Sequence, residues 1–125
     1  MMHAKIIIEK SKIDGKNEQI FEIYFFGKLD ESTTDSVADE IYKILEENND
    51  QKYFIFDLES LEFLNSKAIG YFVDFFKKIS EKNGKLVFSK LNDYVFDILD
   101  LVGVTRVIEI SDTLEEARLL ISENL

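Results

Sequence analysis

Two runs near the start of the chain are rich in the apolar, β-branched and aromatic residues that favour strands. These runs lie in AKIIIEKSKIDGKNEQIFEIYFFG and are separated by Asp14-Gly15, a dipeptide that favours a tight turn. They predict an antiparallel pair of strands. After Gly27 the apolar spacing becomes helical, and KLDESTTDSVADEIYKILEENND predicts a helix with Ser, Thr and Asp residues suited to cap its start. The apolar positions of this helix are Val37, Ile41, Ile44 and Leu45.

The next part of the chain is a continuous apolar run that indicates the fold class. YFIFDL, from Tyr53 to Leu58, shows no alternation and is typical of a central strand covered on both faces. A helix is predicted from near Ser66 to Asn83-Gly84. Its apolar positions are Ile69, Phe72, Val73, Phe76 and Ile79. Beyond it, KLVFSK and RVIEI predict strands, while DYVFDILDLVG and TLEEARLLISENL predict helices.

The resulting order of elements is ββαβαβαβα. Strands that alternate with helices indicate an α/β fold, here a mixed, mostly parallel sheet of about five strands with four helices. A length of 125 residues fits a single domain over 1–125, and we expect residues 1–4 to be frayed.

Charge and composition exclude several classes of function. The formal net charge is −10 and the longest basic run is Lys77-Lys78, which argues against binding to nucleic acid or anionic lipid. The chain has no cysteine, and its one histidine, His3, lies too near the start to serve a catalytic triad or a metal site. No stretch approaches the roughly 20 apolar residues of a membrane span. We expect a cytoplasmic protein without cofactor, metal or membrane insertion.

Most sequence motifs for chemistry are missing. The five glycines are too dispersed to hold a phosphate, and neither G-x-G-x-x-G nor a P-loop occurs. A response-regulator receiver could use Asp57 as phosphoacceptor, but it needs an acidic pair after its first strand, which this chain lacks. An enzymatic alternative would join Asp57 and Asp30 in metal-assisted phosphotransfer, although these acids show no ligand spacing. We therefore expect a protein that is not an enzyme.

Ser66 stands out within the segment SLEFLNSKAIGYFVDFF. It follows the central strand, lies at the predicted start of a helix and has small or polar neighbours. A phosphoryl group on Ser66 would meet unpaired N–H groups and the positive end of the helix dipole. The simpler interpretation is that Asn65 or Ser66 caps the helix, which is worth about 1 kcal/mol.

Three segments, in order, resemble the STAS domains of bacterial anti-sigma-factor antagonists. GKLDESTTDS is similar to the G-x-L-D loop of that family, FDLESLEFLNSKAIG to the segment around its phosphorylated serine, and LDLVGVTRVIEI to its late glycine-containing segment. The resemblance implies a regulatory protein-binding module whose partner is both an anti-sigma factor and a serine kinase, with a cognate phosphatase as a second candidate partner. It also implies that Ser66 accepts phosphate, that Asp30 lies beside it, and that phosphorylation releases the kinase.

The segment around Ser66 departs from the family pattern. Where the family has Asp-Ser-Ser/Thr-Gly, this chain has Asn65, Ser66, Lys67 and Ala68. Lys67 could pair with a phosphate or with an acidic partner, while Ala68 narrows the room for another backbone. These departures leave a second function open, in which the chain is a non-phosphorylated STAS scaffold subunit of a larger assembly such as a transporter complex.

Two aromatic residues widen the apolar face of the same helix. Tyr71 and Phe75 could dock a partner, and the alternative is that they pack beside a neighbouring helix. The predicted partner-binding surface is the set Asp30, Asn65, Lys67, Ala68, Tyr71 and Phe75.

Overall fold

The chain forms one sheet with helices on both faces in the computed structural model, which describes residues 4–13, 15–123 and 125. The strands are β1 (Ala4–Lys12), β2 (Gln19–Leu29), β3 (Tyr53–Asp57), β4 (Leu61–Leu64), β5 (Lys85–Ser89) and β6 (Glu109–Ser111). The helices are α1 (Thr34–Glu47), α2 (Ser66–Glu81), α3 (Asp93–Leu101) and α4 (Leu114–Ser122), with a 3₁₀ turn at Val104–Arg106.

The sheet is mixed and mostly parallel, as the sequence predicts. Its order is β1-β2-β3-β5-β6; β1 and β2 pair antiparallel, and the pairings of β2 with β3, β3 with β5 and β5 with β6 are parallel. The α/β fold with four helices is therefore confirmed. Gly15 in the hairpin turn has a φ of 73°, which suits glycine. Asp14 and the predicted frayed residues 1–3 lie outside the described residues, while Ala4 begins β1.

The short strand β4 is a sixth strand that the sequence pattern does not predict. Leu61–Leu64 pairs in parallel with the end of β2, after a register shift between Gly27 and Lys28. β2 has 11 residues and β3 has five, so the last residues of β2 extend beyond the end of β3. β4 supplies hydrogen-bonding partners for that exposed end, and it leads directly into α2.

Two apolar layers hold the helices against the sheet. Helices α1, α2 and α3 cover one face, where aromatic rings meet at centroid distances of 4.9 Å between Phe25 and Phe56 and 5.4 Å between Phe25 and Phe72. Helix α4 covers part of the other face through Ala117 and Ile121. The large phenylalanine content is thus explained mainly by the layer under α1 and α2.

The buried face of α2 differs from the predicted one. Phe72 and Ile79 are buried as expected, but Phe75 is also buried, at 1% exposure, and Val73 is 43% exposed. Helix α2 contacts both the sheet and α1, so its apolar arc is turned toward α1. Periodicity alone cannot give this rotation, because it does not show where the neighbouring helix lies.

A buried carboxylate ties α4 to the sheet. Glu22 of β2 accepts hydrogen bonds from Nε and Nη2 of Arg118 at 2.7 and 2.8 Å, and from the hydroxyl of Ser11 at 2.7 Å. Burial by itself would raise the pKa of Glu22, but the hydrogen bonds from Arg118 and Ser11 outweigh burial and lower it. The carboxylate is therefore held in its charged form under the helix.

Candidate functional site

The start of α2 lies beside the loop that joins β2 to α1. The amide of Asn65 donates to the carbonyl of Leu29 at 3.0 Å, which fixes one loop against the other. Both loops follow the carboxyl ends of their strands, the edge where parallel sheets usually carry their functional groups. The predicted proximity of Asp30 and Ser66 rests on this backbone contact.

Asn65, and not Ser66, caps α2. The side chain of Asn65 accepts from the amide of Ala68 at 2.9 Å, and its carbonyl accepts from the amide of Ile69 at 3.1 Å. Ser66 is the first residue of the helix and is exposed to solvent. Among residues 4–13, 15–123 and 125, no group hydrogen-bonds to the Ser66 hydroxyl. The capping alternative is thereby resolved in favour of Asn65, and no contact within the described part of the chain uses the serine hydroxyl.

Asp30 is held in a compact turn at the end of β2. Its Oδ1 atom accepts from the amide of Ser32 at 2.9 Å, from the Ser32 hydroxyl at 2.8 Å and from the Thr33 hydroxyl at 3.2 Å. These hydrogen bonds, led by the Ser32 hydroxyl, lower the pKa of Asp30. The Thr34 hydroxyl donates to the Asp30 carbonyl at 2.6 Å and lies 3.4 Å from Oδ1 of Asn65. Asp30 therefore presents a fixed negative charge next to the capped start of α2.

A three-residue cluster links the first turns of α1 and α2. The ammonium of Lys67 lies 2.8 Å from Oδ1 of Asp35, and the Tyr71 hydroxyl donates to the same oxygen at 2.7 Å. The hydrogen bonds from Lys67 and Tyr71 lower the pKa of Asp35, and the bond to Asp35 raises the pKa of Lys67. All of these polar contacts are at the surface. Lys67 is thus already engaged by an acid of its own chain.

A shallow depression of about 260 Å³ lies between the Asp30 turn and the start of α2. Its lining residues are Asp30, Glu31, Thr34, Asp35, Asn65 and Lys67. Three carboxylates and one ammonium make this surface acidic. A larger depression of about 470 Å³ lies elsewhere, between the β1–β2 hairpin and α4, and contains none of the predicted site residues. The acidic surface is the better candidate because the free hydroxyl of Ser66 belongs to the segment that borders it.

Sequence comparison assigns the family directly. The STAS domain family model matches residues 13–117, which is most of the chain. The chain belongs to the STAS domain family. It is 25% identical over 103 residues to an anti-sigma-B factor antagonist of Listeria monocytogenes, covering 81% of this chain and 87% of that protein.

Solved structures show that the STAS fold extends over nearly the whole chain. An anti-sigma factor antagonist from Mycobacterium paratuberculosis superposes with a TM-score of 0.75 at 17% identity, covering 94% of both chains. The phosphorylated form of the Bacillus cell-fate determinant SpoIIAA superposes with a TM-score of 0.62 at 17% identity, covering 89% of this chain and 96% of that one. At these identities the superpositions establish the fold alone.

Two residues of the predicted partner-binding surface of this STAS domain lie in its core. Ala68 and Phe75 are each 1% exposed, so neither can contact a partner directly. The Phe75 ring packs 5.0 Å from the ring of Tyr42 on α1, and the Tyr71 ring packs 6.0 Å from the same ring. The alternative of packing beside a neighbouring helix is therefore correct for both aromatics, while Tyr71 keeps a partly exposed edge with its hydroxyl at the surface.

The sequence pattern did not single out two residues that the structure places at this site. Asp35 reaches Lys67 across 32 positions of sequence, and no local signal announces such a contact. Gly70 lies four residues after Ser66, on the same face of α2. It is exposed, and outside the adjoining helix backbone no atom lies within 4 Å of where a Cβ would stand. A glycine in the middle of a helix is unfavourable. Gly70 is therefore a feature of the sequence that could have marked this position of α2 as part of the site.

The structure also bears on metal binding and membrane crossing. Within the described part of the chain, no three acidic or histidine side chains come together to hold a metal ion. None of the helices described above combines the length and the apolar content that crossing a bilayer requires. The enzymatic alternative built on Asp57 and Asp30 receives no ligand cluster from this arrangement.

Proposed function

We propose that this STAS domain is an anti-sigma-factor antagonist that switches partners through phosphorylation of Ser66. In its unphosphorylated state it binds, in the cytoplasm, a partner that is both an anti-sigma factor and a serine kinase. Phosphorylation of Ser66 by that partner makes the two proteins dissociate, and a cognate phosphatase removes the phosphate and restores binding. The protein itself acts by binding and catalyses no reaction.

The observation that carries this proposal is that no described residue hydrogen-bonds to the Ser66 hydroxyl. A serine at the start of a helix normally accepts a hydrogen bond from the backbone, and modification of such a serine would disrupt the cap. Here Asn65 makes that bond, so a phosphoryl group on Ser66 costs the helix no existing contact. The acceptor is exposed to an incoming kinase, and the fold does not depend on it.

The electrostatics of the helix start support a phosphate at this position. Among the described residues, no protein group accepts from the amides of Ser66 and Lys67, which belong to the first turn of α2. Unpaired amides and the positive end of the helix dipole favour a phosphate, which carries a charge of about −1.5 to −2 at neutral pH. The fold of α2 should therefore survive phosphorylation.

The same charge gives a physical reason for release. The surface beside Ser66 already carries Asp30, Glu31 and Asp35 against the single cation Lys67. A partner that docks there must remove these groups from water, and a dianionic phosphate adds a large desolvation cost that an interface built for a neutral hydroxyl does not compensate. Phosphorylation should thus weaken binding without unfolding either protein.

Relatives with related names support the regulatory role. The Listeria monocytogenes protein of similar sequence is named an anti-sigma-B factor antagonist. A protein of Paenibacillus polymyxa that is 26% identical over 86 residues is named an anti-sigma F factor antagonist. SpoIIAA, which shares the fold, has been solved in a phosphorylated form.

The departures from the family pattern at the site are compatible with the switch. Asn65 provides the acceptor that an aspartate would provide, and the methyl group of Ala68 points into the core and leaves the outer surface unchanged. The exposed difference is Lys67, whose charge is compensated by Asp35. An approaching kinase therefore meets a cap and a serine in the expected places.

The switch is tested first by locating the phosphate. The protein is recovered from its native cells, or incubated with native extract and ATP, and its phosphorylation sites are mapped by mass spectrometry. We expect phosphate on Ser66 in the wild type and none in Ser66→Ala, while Ser60→Ala, which alters an exposed serine in the preceding turn, keeps the modification. Phosphate elsewhere, or none, would contradict the switch.

Partner binding is tested with a charge mimic. Wild type and Ser66→Asp are used as baits in parallel, and captured proteins are identified and then titrated by calorimetry. We expect a protein with a kinase domain to bind the wild type and to bind Ser66→Asp at least tenfold more weakly, a difference of about 1.4 kcal/mol. Equal affinity for both baits would favour the scaffold function, in which Ser66 is not a switch.

A further inference from the structure

Strand β1 forms a long open edge of the sheet. It has nine residues and, among the strands that the structure describes, pairs only with β2. Most of its side chains are exposed, including Ile7 at 45% and Ile8 at 38%. An edge strand of this length presents a row of unpaired backbone N–H and C=O groups that can pair with another chain. At the other edge, β6 has only three residues. The two edges therefore differ sharply in their capacity to add a strand.

The sequence of β1 is complementary to itself when two copies run antiparallel. A two-fold axis normal to the sheet through Ile7 places Lys5 opposite Glu9 of the second copy and the two Ile7 side chains opposite each other. On the other face the same register places Ile6 opposite Ile8 of the second copy. The junction between the two β1 strands thus contains two Lys–Glu pairs around an apolar centre.

Neighbouring registers lack this complementarity. With the axis on Ile6, Lys5 faces an isoleucine, and with the axis on Ile8, Glu9 faces an isoleucine. With the axis on Lys5 or Glu9, like charges stand face to face. The register centred on Ile7 is the one that pairs opposite charges, and cross-strand charge pairs contribute to strand selection.

Two charged residues of β1, Lys5 and Glu9, have no ion-pair partner within the described part of the chain. Glu9 lies opposite Glu22, a like charge whose cation is Arg118. A second copy would supply the cation that Glu9 lacks. β1 also contains three lysines and one glutamate, so this edge is locally basic in a protein with a net charge of −10.

We infer that β1 is a dimerisation edge, at which two copies of this chain join antiparallel into one continuous sheet centred on Ile7. Because the axis is normal to the sheet, the β2 strands of the two copies also run antiparallel. The edges that carry Ser66 then lie at opposite ends of the dimer and stay accessible. This inference does not depend on phosphorylation of Ser66, and either can fail without the other.

Complementary charge reversals test the dimer. Lys5→Glu places a glutamate at both position 5 and position 9, and Glu9→Lys places a lysine at both, so each variant alone replaces both attractive pairs by repulsive ones. Sedimentation equilibrium of the wild type should show a dimer whose population rises with concentration. We expect each single variant to raise the dissociation constant roughly tenfold or more. An equimolar mixture of the two should form a heterodimer, detected by native mass spectrometry.

A charge reversal outside β1 provides the control for the dimer experiment. Lys16→Glu makes the same charge change as Lys5→Glu in the exposed hairpin turn and should leave dimerisation unchanged. Circular dichroism of all variants checks folding, which these exposed positions should not affect. A wild type that stays monomeric up to millimolar concentration overturns the inference, and so does a dimer that both single variants preserve. Failure of the two variants to pair with each other also overturns the proposed register.

Discussion

The ammonium of Lys67 lies 2.8 Å from Oδ1 of Asp35 and joins the first turn of α2 to the first turn of α1, immediately beside Ser66. Both side chains are well exposed, at 61% and 59%. Exposed ion pairs contribute little to folding stability because water and salt screen them. We therefore expect the consequence of this pair to be local, through the charge that a phosphate on Ser66 would meet.

Removing Lys67 should change the titration of a phosphate on Ser66. In protein phosphorylated at Ser66, we expect Lys67→Ala to raise the second pKa of the phosphate, ordinarily about 6, because the nearest cation is lost while Asp30 and Asp35 remain. Phosphorus NMR across the titration measures this pKa. Lys77→Ala, farther along the exposed side of α2, is the control. An identical pKa in both variants would mean that Lys67 stays with Asp35 and does not reach the phosphate.

The capping role of Asn65 can be separated from its charge. Asn65→Ala loses the hydrogen bond to the amide of Ala68, so we expect the free energy of unfolding to fall by about 1 kcal/mol. Asn65→Asp keeps an acceptor and adds a negative charge at the helix start, and should be at least as stable as the wild type. Urea unfolding of the three proteins measures both differences. An unchanged midpoint in Asn65→Ala would show that the cap contributes nothing.

Gly70→Ala should stabilise the fold and weaken partner binding. A methyl group there meets no atom within 4 Å outside the adjoining helix backbone, so Gly70→Ala should stabilise the isolated chain by about 0.5–1 kcal/mol through the helix propensity of alanine. If a partner packs closely on the face that Ser66 and Gly70 share, the same change should weaken binding of the captured kinase. Thermal unfolding and calorimetric titration give the two readings. Unchanged affinity would exclude close packing at this position.

Gly84 is a matched contrast for Gly70. A Cβ at Gly84 would collide with the carbonyl of Lys52 and stand 2.8 Å from the carbonyl of Ile79. Gly84→Ala should therefore destabilise the fold, although both substitutions are chemically identical. Thermal unfolding measures both changes, and stabilisation by Gly84→Ala as well would show that the space around Gly84 does not limit the substitution.

The ion pair of Glu22 and Arg118 should reverse the pH dependence of stability when it is broken. In the wild type the pKa of folded Glu22 lies below its ordinary 4.5, so its contribution is complete above that pH and is lost as the pH falls through the folded value. In Arg118→Met, burial of an unpaired carboxylate raises the pKa of Glu22, and stability should then increase as acid neutralises it.

The loss of folding stability expected for Arg118→Met at neutral pH depends on how exposed Arg118 is. Breaking a buried pair typically costs about 3–5 kcal/mol, but the side chain of Arg118 is 42% exposed, so we expect about 2–3 kcal/mol for Arg118→Met. Denaturant unfolding at about pH 7 and about pH 4 measures both the loss of stability and the direction in which the stability of each protein changes with pH. The double variant with Glu22→Gln should recover much of the loss. If the free energy of unfolding of Arg118→Met fell further on acidification, the unpaired charge of Glu22 could not be the cause of the loss.

Local pattern was sufficient for the framework of the fold. The uninterrupted run from Tyr53 to Leu58 predicted a central strand, and the paired runs around Gly15 predicted the hairpin. The start of a helix at Ser66 was also readable, because capping depends on adjacent residues. These features need only the periodicity and chemistry of neighbouring positions, so the sequence by itself determined them.

The tertiary structure decided what contacts what. β4 pairs with the part of β2 that extends beyond β3. Phe75 is buried because α1 lies on that side of α2. Asp35 contacts Lys67 although 32 positions separate them in the sequence. None of these follows from a repeat in the sequence, since each depends on where a distant element packs. The free hydroxyl of Ser66 belongs to the same class: the sequence placed a serine at a helix start, and only the folded loop showed that Asn65 makes the cap.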